Sequence, residues 1–152
     1  MKLSTKGRYG VRAMFDLALN HGDGPIPLRS IAERQNISEH YLEQLIASLR
    51  KEGLVESVRG AYGGYLLGSK PEEITIGDIV RVLEGPIAPV DCVMDQDEQG
   101  CEMVVDCVIK NVWQNMKESI DEVLDDVTLE DLRQEAINAK QSGEGHGYMY
   151  HI

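Results

Sequence analysis

The three cysteines of the chain, Cys92, Cys101 and Cys107, fall in one stretch, with eight and then five residues between them. Thiolates ligate soft and borderline metals, and thiols near a helix N-terminus are stabilised by its partial positive charge, which favours ligation and reactivity. Zinc, an iron–sulfur cluster, a thiol switch and a set of unreactive thiols all fit this spacing. Zinc sites and simple four-iron sites usually carry tighter C-x-x-C pairs, which do not occur here. An odd number of cysteines confined to one segment suits a reducing compartment better than a disulfide framework.

A second group of residues suits nucleic acid: Ser38, His40, Tyr41, Glu43 and Gln44 in one short segment, and Arg59-Gly60 at the head of a glycine-rich stretch. Hydroxyls suit phosphates and base edges. Gln44 can pair bidentately with adenine, and Glu43 can accept from cytosine N4 or repel a misplaced phosphate. A guanidinium at Arg59 can enter a narrow minor groove, where the potential is most negative. The plainer roles are a helix cap for Ser38, core packing for Tyr41 and an ordinary hairpin for the Arg59 loop. A third group is the C-terminal Gly145-His146-Gly147-Tyr148-Met149-Tyr150-His151-Ile152. It reads either as a frayed terminus or as an extended segment whose Tyr148, Tyr150 and Ile152 dock in a partner's pocket.

The elements that must hold these groups follow from periodicity. Ser4 or Thr5 is placed to cap a first helix whose Tyr9, Val11, Met14, Leu17 and Ala18 recur at helical spacing, and His21 to Pro25 stops it. A second helix, Leu28 to about Gln35, is separated only by Asn36-Ile37 from a third, capped by Ser38 and running to about Glu52. That connection is a helix-turn-helix. Two β-rich pieces, Leu54–Val58 and Tyr65–Leu67, then flank Arg59-Gly60-Ala61-Tyr62-Gly63-Gly64, a hairpin loop. Ile76 to Gly85 is a further helix, and apolar residues from Val104 through Val105, Ile109, Val112, Met116, Ile120, Val123 and Val127 predict one of roughly 24 residues. Thr128 caps a last helix, Leu129 to about Ala139, with Leu132 available to a dimer core. The fold is mostly α with a small β wing: a winged helix-turn-helix followed by a long dimerisation helix, whose stripe is most economically buried against a second copy.

Of the 152 residues, 42% are hydrophobic and 27% charged, enough for a core, and one Phe and one Trp leave that core aliphatic. Residues 1–70 carry ten Lys and Arg against seven Asp and Glu, and residues 71–152 carry five against nineteen, so the net charge of -11 hides a first half able to meet phosphate. No stretch approaches the roughly 20 apolar residues of a membrane span, and the expected location is cytoplasmic. No nucleophile motif, Walker loop or dinucleotide fingerprint points to an enzyme, and an electron-carrier or cluster-carrier role would leave the helix-turn-helix unexplained.

Met1-Lys2-Leu3-Ser4-Thr5-Lys6-Gly7-Arg8-Tyr9-Gly10, Ser38-Glu39-His40-Tyr41-Leu42-Glu43-Gln44-Leu45 and Val58-Arg59-Gly60-Ala61-Tyr62-Gly63-Gly64-Tyr65-Leu66-Leu67-Gly68 closely resemble the bacterial winged-helix regulators of the IscR, NsrR and CymR superfamily over about residues 1 to 135. The resemblance implies a homodimer on a pseudo-palindromic operator in double-stranded DNA, with the glutamate matching Glu43 discriminating between operator classes. It further implies that Cys92, Cys101 and Cys107 bind a [2Fe-2S] cluster. The fourth ligand of IscR-like proteins is a histidine where this chain has Lys110, and the aspartate of NsrR-like proteins corresponds to Arg8. Asp91, Glu98, Glu102, Asp106, His40, His146, His151 or an outside donor are left as candidates.

By this resemblance the first expectation is a repressor that senses iron–sulfur status and controls cluster biogenesis genes. The alternative is a repressor of cysteine and sulfur metabolism. The wing, Leu83-Glu84-Gly85-Pro86-Ile87 and Thr128-Leu129-Glu130-Asp131-Leu132 are similar to the CymR type. Proteins of that type end in a like aromatic segment closing with Ile and work with cysteine synthase. The expected organisation is a DNA-binding domain over 1–85, a cysteine-bearing cluster loop over 86–103, dimerisation helices over 104–140 and a flexible tail over 141–152.

Overall fold

A computed structural model describes residues 2–94 and 108–142. Helices α1 (Thr5–Leu19), α2 (Leu28–Gln35) and α3 (Glu39–Lys51) precede the antiparallel strands β1 (Val55–Val58) and β2 (Gly64–Leu67), and α4 (Ile76–Glu84), α5 (Lys110–Asp126) and α6 (Leu129–Gln141) follow. Met14, Leu17 and Ala18 of α1 meet Ile31 and Ala32 of α2 and Leu42, Ile46 and Leu49 of α3, and Val55 and Leu67 close the core from the wing side. Ile79 of α4 and Leu129 of α6 belong to the same core. The mostly helical, winged architecture expected from the periodicity is what forms.

The turn between α2 and α3 is made by Asn36 in the left-handed region, at φ 53°, a conformation that Asn tolerates better than most residues. The Ile37 N–H donates to the Ala32 carbonyl at 3.0 Å, and Ile37 is buried. At the other end of the domain α4 lies hard against α1: a Cβ on Gly10 would stand 1.9 Å from Leu83 Cδ1. Glu84 accepts hydrogen bonds from the backbone N–H and the hydroxyl of Ser4. Ser4 holds the N-cap position but makes no side-chain cap. This corrects the expected cap: the hydroxyl is engaged by Glu84, whose carboxylate sits at the positive end of α1.

Asp16 is the one charged side chain buried among the described residues, at 2% exposure. Arg34 of α2 grips it with two hydrogen bonds, Nε to Oδ2 at 2.9 Å and Nη2 to Oδ1 at 2.7 Å, and Gln35 Nε2 donates to Oδ2 at 3.1 Å. The hydrogen bond and charge of Asp16 hold the Arg34 guanidinium above its ordinary range against the opposing effect of burial. Arg12 adds a second tie from α1, donating to the Gln35 carbonyl.

A two-residue bridge mounts the C-terminal helices. Thr75 and Thr128 pair antiparallel, with Ile76 N–H donating to Val127 O and Leu129 N–H to Ile74 O, each at 2.9 Å. Each threonine also caps a helix reciprocally with an aspartate three residues on, Asp78 for α4 and Asp131 for α6. Arg81 of α4 then reaches Asp125 at 2.6 Å and Asp121 at 3.0 Å on α5, and Lys117 donates to Asp121 at 2.9 Å. Burial pushes the Asp121 carboxyl up, but hydrogen bonds and charge from Lys117 and Arg81 outweigh it and leave Asp121 below the usual carboxylate range.

The helix expected from Val104 begins at Lys110 and runs for 17 residues; Val108 and Ile109 form a turn, and 104–107 lie outside the described residues. No side chain caps this start, and no acidic residue occupies its first turn. Val108 and Ile109, at 78% and 58% exposure, are β-branched residues that gain little burial among the described residues, which offsets the gain from adding turns.

Three outcomes are expected. Arg34→Ala leaves the buried Asp16 carboxylate without its cation and should cost about 3 kcal/mol in urea unfolding. Arg29→Ala, which removes an exposed pair with Glu33, should cost no more than about 0.5 kcal/mol. The lowered pKa of Asp121 contributes stability that is complete above its unfolded value and is lost as pH falls through the folded one. Arg81→Met should therefore flatten the acid limb of the stability profile below the ordinary carboxylate range, as followed by circular dichroism.

Candidate nucleic-acid interface

α3 separates its residues by face. Leu42, Leu45, Ile46 and Leu49 are buried, while Ser38, His40, Glu43, Gln44, Ala47 and Ser48 are exposed. Ser38 performs the predicted cap, its hydroxyl accepting from Tyr41 N–H at 3.2 Å. The capped N-terminus carries the helix's partial positive charge and leaves backbone N–H groups near the exposed face, a setting that favours an anion such as phosphate. His40 and Gln44 stand one turn apart with their Nε2 atoms at 3.3 Å.

Tyr41 lies differently from its neighbours. It is half-buried and packs edge-on against Tyr9 of α1, with ring centroids 6.0 Å apart and planes at 78°. Arg12 lies over the other ring of the pair, 5.3 Å from the Tyr9 centroid. Its packing role and its position beside the exposed face thus coexist, and the aromatic pair sets the angle of α3 against α1.

The wing is held to the rest by its own bridge. Ile26 N–H donates to Tyr65 O at 2.9 Å and Tyr65 N–H to Ile26 O at 2.8 Å, so the segment leading into α2 is fastened to β2 by a single antiparallel bridge. Gly64 permits this approach: a Cβ there would meet the Ile26 backbone at 2.4 Å, and its φ is +157°. Arg50 at the end of α3 donates to Ser57 Oγ of β1 at 3.4 Å. Arg59 and Gly60 are exposed at the wing tip. Beside them is a side chain the sequence reading passed over: Tyr62, at 95% exposure. Its signal is an aromatic residue set among glycines, with no apolar neighbour to pack on.

The arrangement therefore brings His40, Glu43 and Gln44 onto one exposed helix face, with Ser38 exposed at the helix N-terminus and Arg59 and Gly60 on a wing tied to the same body. Of the cysteines only Cys92 lies among the described residues, half-buried in a 3-10 turn, Asp91–Val93, that packs on α5. Cys101 and Cys107 lie outside them, as do Glu98, Glu102, Asp106, His146, His151 and the tail residues Tyr148, Tyr150 and Ile152. Among the described residues no three His, Cys, Asp or Glu side chains gather as a metal site, and none of the helices is long and apolar enough to cross a membrane. His40 is on the α3 face and so is placed with the polar residues there.

Comparison with known proteins agrees with this geometry. The family model described as Rrf2, iron-dependent transcriptional regulator, matches residues 3–135. The chain is 51% identical to the HTH-type transcriptional regulator CymR of Bacillus subtilis over the whole of both chains. The solved structure of that protein, the global cysteine regulator of B. subtilis, superposes with a TM-score of 0.74 at 54% identity, covering 88% of this chain and 97% of the other. The structure of T. potens IscR gives the same TM-score at 51% identity, covering 99% of this chain and 97% of that one. IscR of Aliivibrio salmonicida is 44% identical over 87% of this chain and 77% of its own length. These relatives are transcriptional regulators, not enzymes. With its winged helix-turn-helix and a match over most of its length, the chain belongs to the Rrf2 family of DNA-binding transcriptional regulators.

Proposed function

We propose that this regulator represses genes of cysteine and sulfur metabolism, binding a pseudo-palindromic operator as a homodimer. The observation that carries the choice of gene class is the likeness to the B. subtilis cysteine regulator, which runs the whole length of both chains, the C-terminal segment included. In this reading residues 1–85 contact DNA. Ser38 and the α3 N-terminus take phosphate, Gln44 and His40 face base edges, Glu43 rejects misfit sites, and Arg59 with Gly60 follows the minor groove. Tyr41 supports α3 from beneath. Residues 104–140 pair the subunits: Val112, Met116 and Val123 remain 53%, 39% and 65% exposed on α5, a helix with no buried residue in the single chain. The tail, residues 141–152, docks through Tyr148, Tyr150 and Ile152 on cysteine synthase.

A second reading, iron–sulfur sensing, is favoured by the three cysteines together with the likeness to T. potens IscR over 99% of this chain. The chemistry of the donor set fits: Cys92, Cys101 and Cys107 would hold a [2Fe-2S] cluster, with the fourth ligand from another residue or from an outside donor. Bound there, the cluster would supply a ligand-dependent bias between two conformations of the protein. The chain's own part is to present Cys92 from a turn that already rests on α5, so a change in that turn is felt at the pairing helix.

DNA binding is tested by fluorescence anisotropy on a duplex selected from a random-site library. Dimeric binding is expected, with Gln44→Ala and Arg59→Ala each losing about 1–3 kcal/mol on the selected site. Failure to enrich any sequence would overturn the operator assignment. The gene class is tested by calorimetry with a peptide spanning residues 145–152. It should bind cysteine synthase in competition with the amino-acid substrate, and removing Ile152 should weaken it by more than about 1 kcal/mol. Equal binding without Ile152 would favour the second reading, whose mark is a coloured protein after anaerobic reconstitution that Cys92→Ala renders colourless.

A further inference from the structure

The His40–Gln44 contact constrains what α3 can read. The two Nε2 atoms are 3.3 Å apart on the exposed face. An amide nitrogen carries two N–H groups and accepts nothing, so in this contact Gln44 donates and His40 Nε2 accepts, with the imidazole proton on Nδ1. One amide N–H is thereby engaged, and the Gln44 carbonyl is turned away from the ring. What remains is one N–H beside one carbonyl oxygen. That donor–acceptor pair matches adenine, which offers N7 as acceptor and N6–H as donor in the major groove.

The opposite arrangement presents a different pattern. If the group at position 40 donates, the carbonyl of Gln44 turns to meet it, and two N–H groups face the duplex. Two donors suit guanine, whose N7 and O6 both accept. We propose that His40 is a positioning residue that fixes the amide of Gln44 and so sets the base preference of α3 for adenine over guanine. The inference rests on the reading of Gln44 as a residue facing a base edge. The neighbouring Ser48 Oγ donates to the Gln44 backbone carbonyl, at 3.4 Å, and leaves the side-chain amide to His40 among the described residues.

The test uses the full-length protein and the site it selects from a random library. The base pair at which Gln44→Ala abolishes discrimination is identified first, and affinities are then compared on duplexes with adenine or guanine there. Wild type should prefer adenine by about tenfold. His40→Lys, whose ammonium only donates, should move the adenine-to-guanine ratio toward guanine by about tenfold. His40→Glu, which only accepts, should keep the adenine preference while weakening both duplexes equally, because its charge acts on the phosphates of each. The ratio distinguishes positioning from a general effect of charge or folding, since those shift both duplexes together. A Lys variant and a Glu variant with the same ratio as wild type would overturn the proposal while leaving Gln44 as the reader. A Gln44→Ala protein with undiminished discrimination at every position would overturn the reading of Gln44 and the proposal with it.

Discussion

A buried carboxylate gives the molecule its geometry. Asp16, in the last turn of α1, is enclosed by the core, and burial of a charge is tolerable only with close partners. Those partners, Arg34 and Gln35, are the last residues of α2, immediately before the Asn36 turn. The requirement to satisfy Asp16 therefore fixes where α2 ends relative to α1, and α3 starts four residues later, at Glu39. Hydrophobic packing alone would hold these helices together with some freedom to slide. A bidentate ion pair restricts that freedom, because sliding by even part of a turn would strand the charge.

This constraint was the least legible part of the sequence. Asp16 reads there only as a charge interrupting an apolar stretch, since nothing local connects it to a residue eighteen positions away. The turn itself was legible, because Asn36, Ile37 and Ser38 carry local signals for a helix stop, an apolar anchor and a cap. The wing was legible to within a residue or so from its glycines and alternation. The start of α5 was not. A run of apolar residues has the same period whether or not a partner covers it, and Val108 and Ile109 stand exposed ahead of the helix. The Ser4 cap failed for the same reason: its competitor, Glu84, arrives from the far end of the domain. At the site, residue types on α3 and at Arg59 could be placed from pattern alone. That Tyr41 turns against Tyr9, and that His40 touches Gln44, depended on helical geometry and packing.

Two short β-bridges extend the rigid body beyond its helices. Thr75 and Thr128 join the roots of α4 and α6, and Arg81 laces α4 to α5. α5 is thus tied to α4, and α4 to α1 through the close contact at Gly10 and Leu83. Between Cys92 and the exposed face of α3 lie packed helices, with charged ties where α4 meets α5 and where α1 meets α2.

The other bridge, between Ile26 and Tyr65, has a consequence for the duplex rather than for the protein. It fastens the wing to the segment that enters α2, so the distance from the exposed face of α3 to the wing tip is fixed before any DNA is met. For the proposed contacts, such a body works as a caliper of set opening. A duplex whose grooves already match that opening binds without distortion, whereas a stiffer or wider one must be deformed at an elastic cost that depends on its sequence. Base pairs lying between the two points of contact would then influence affinity through the shape they impose, although no side chain reaches them.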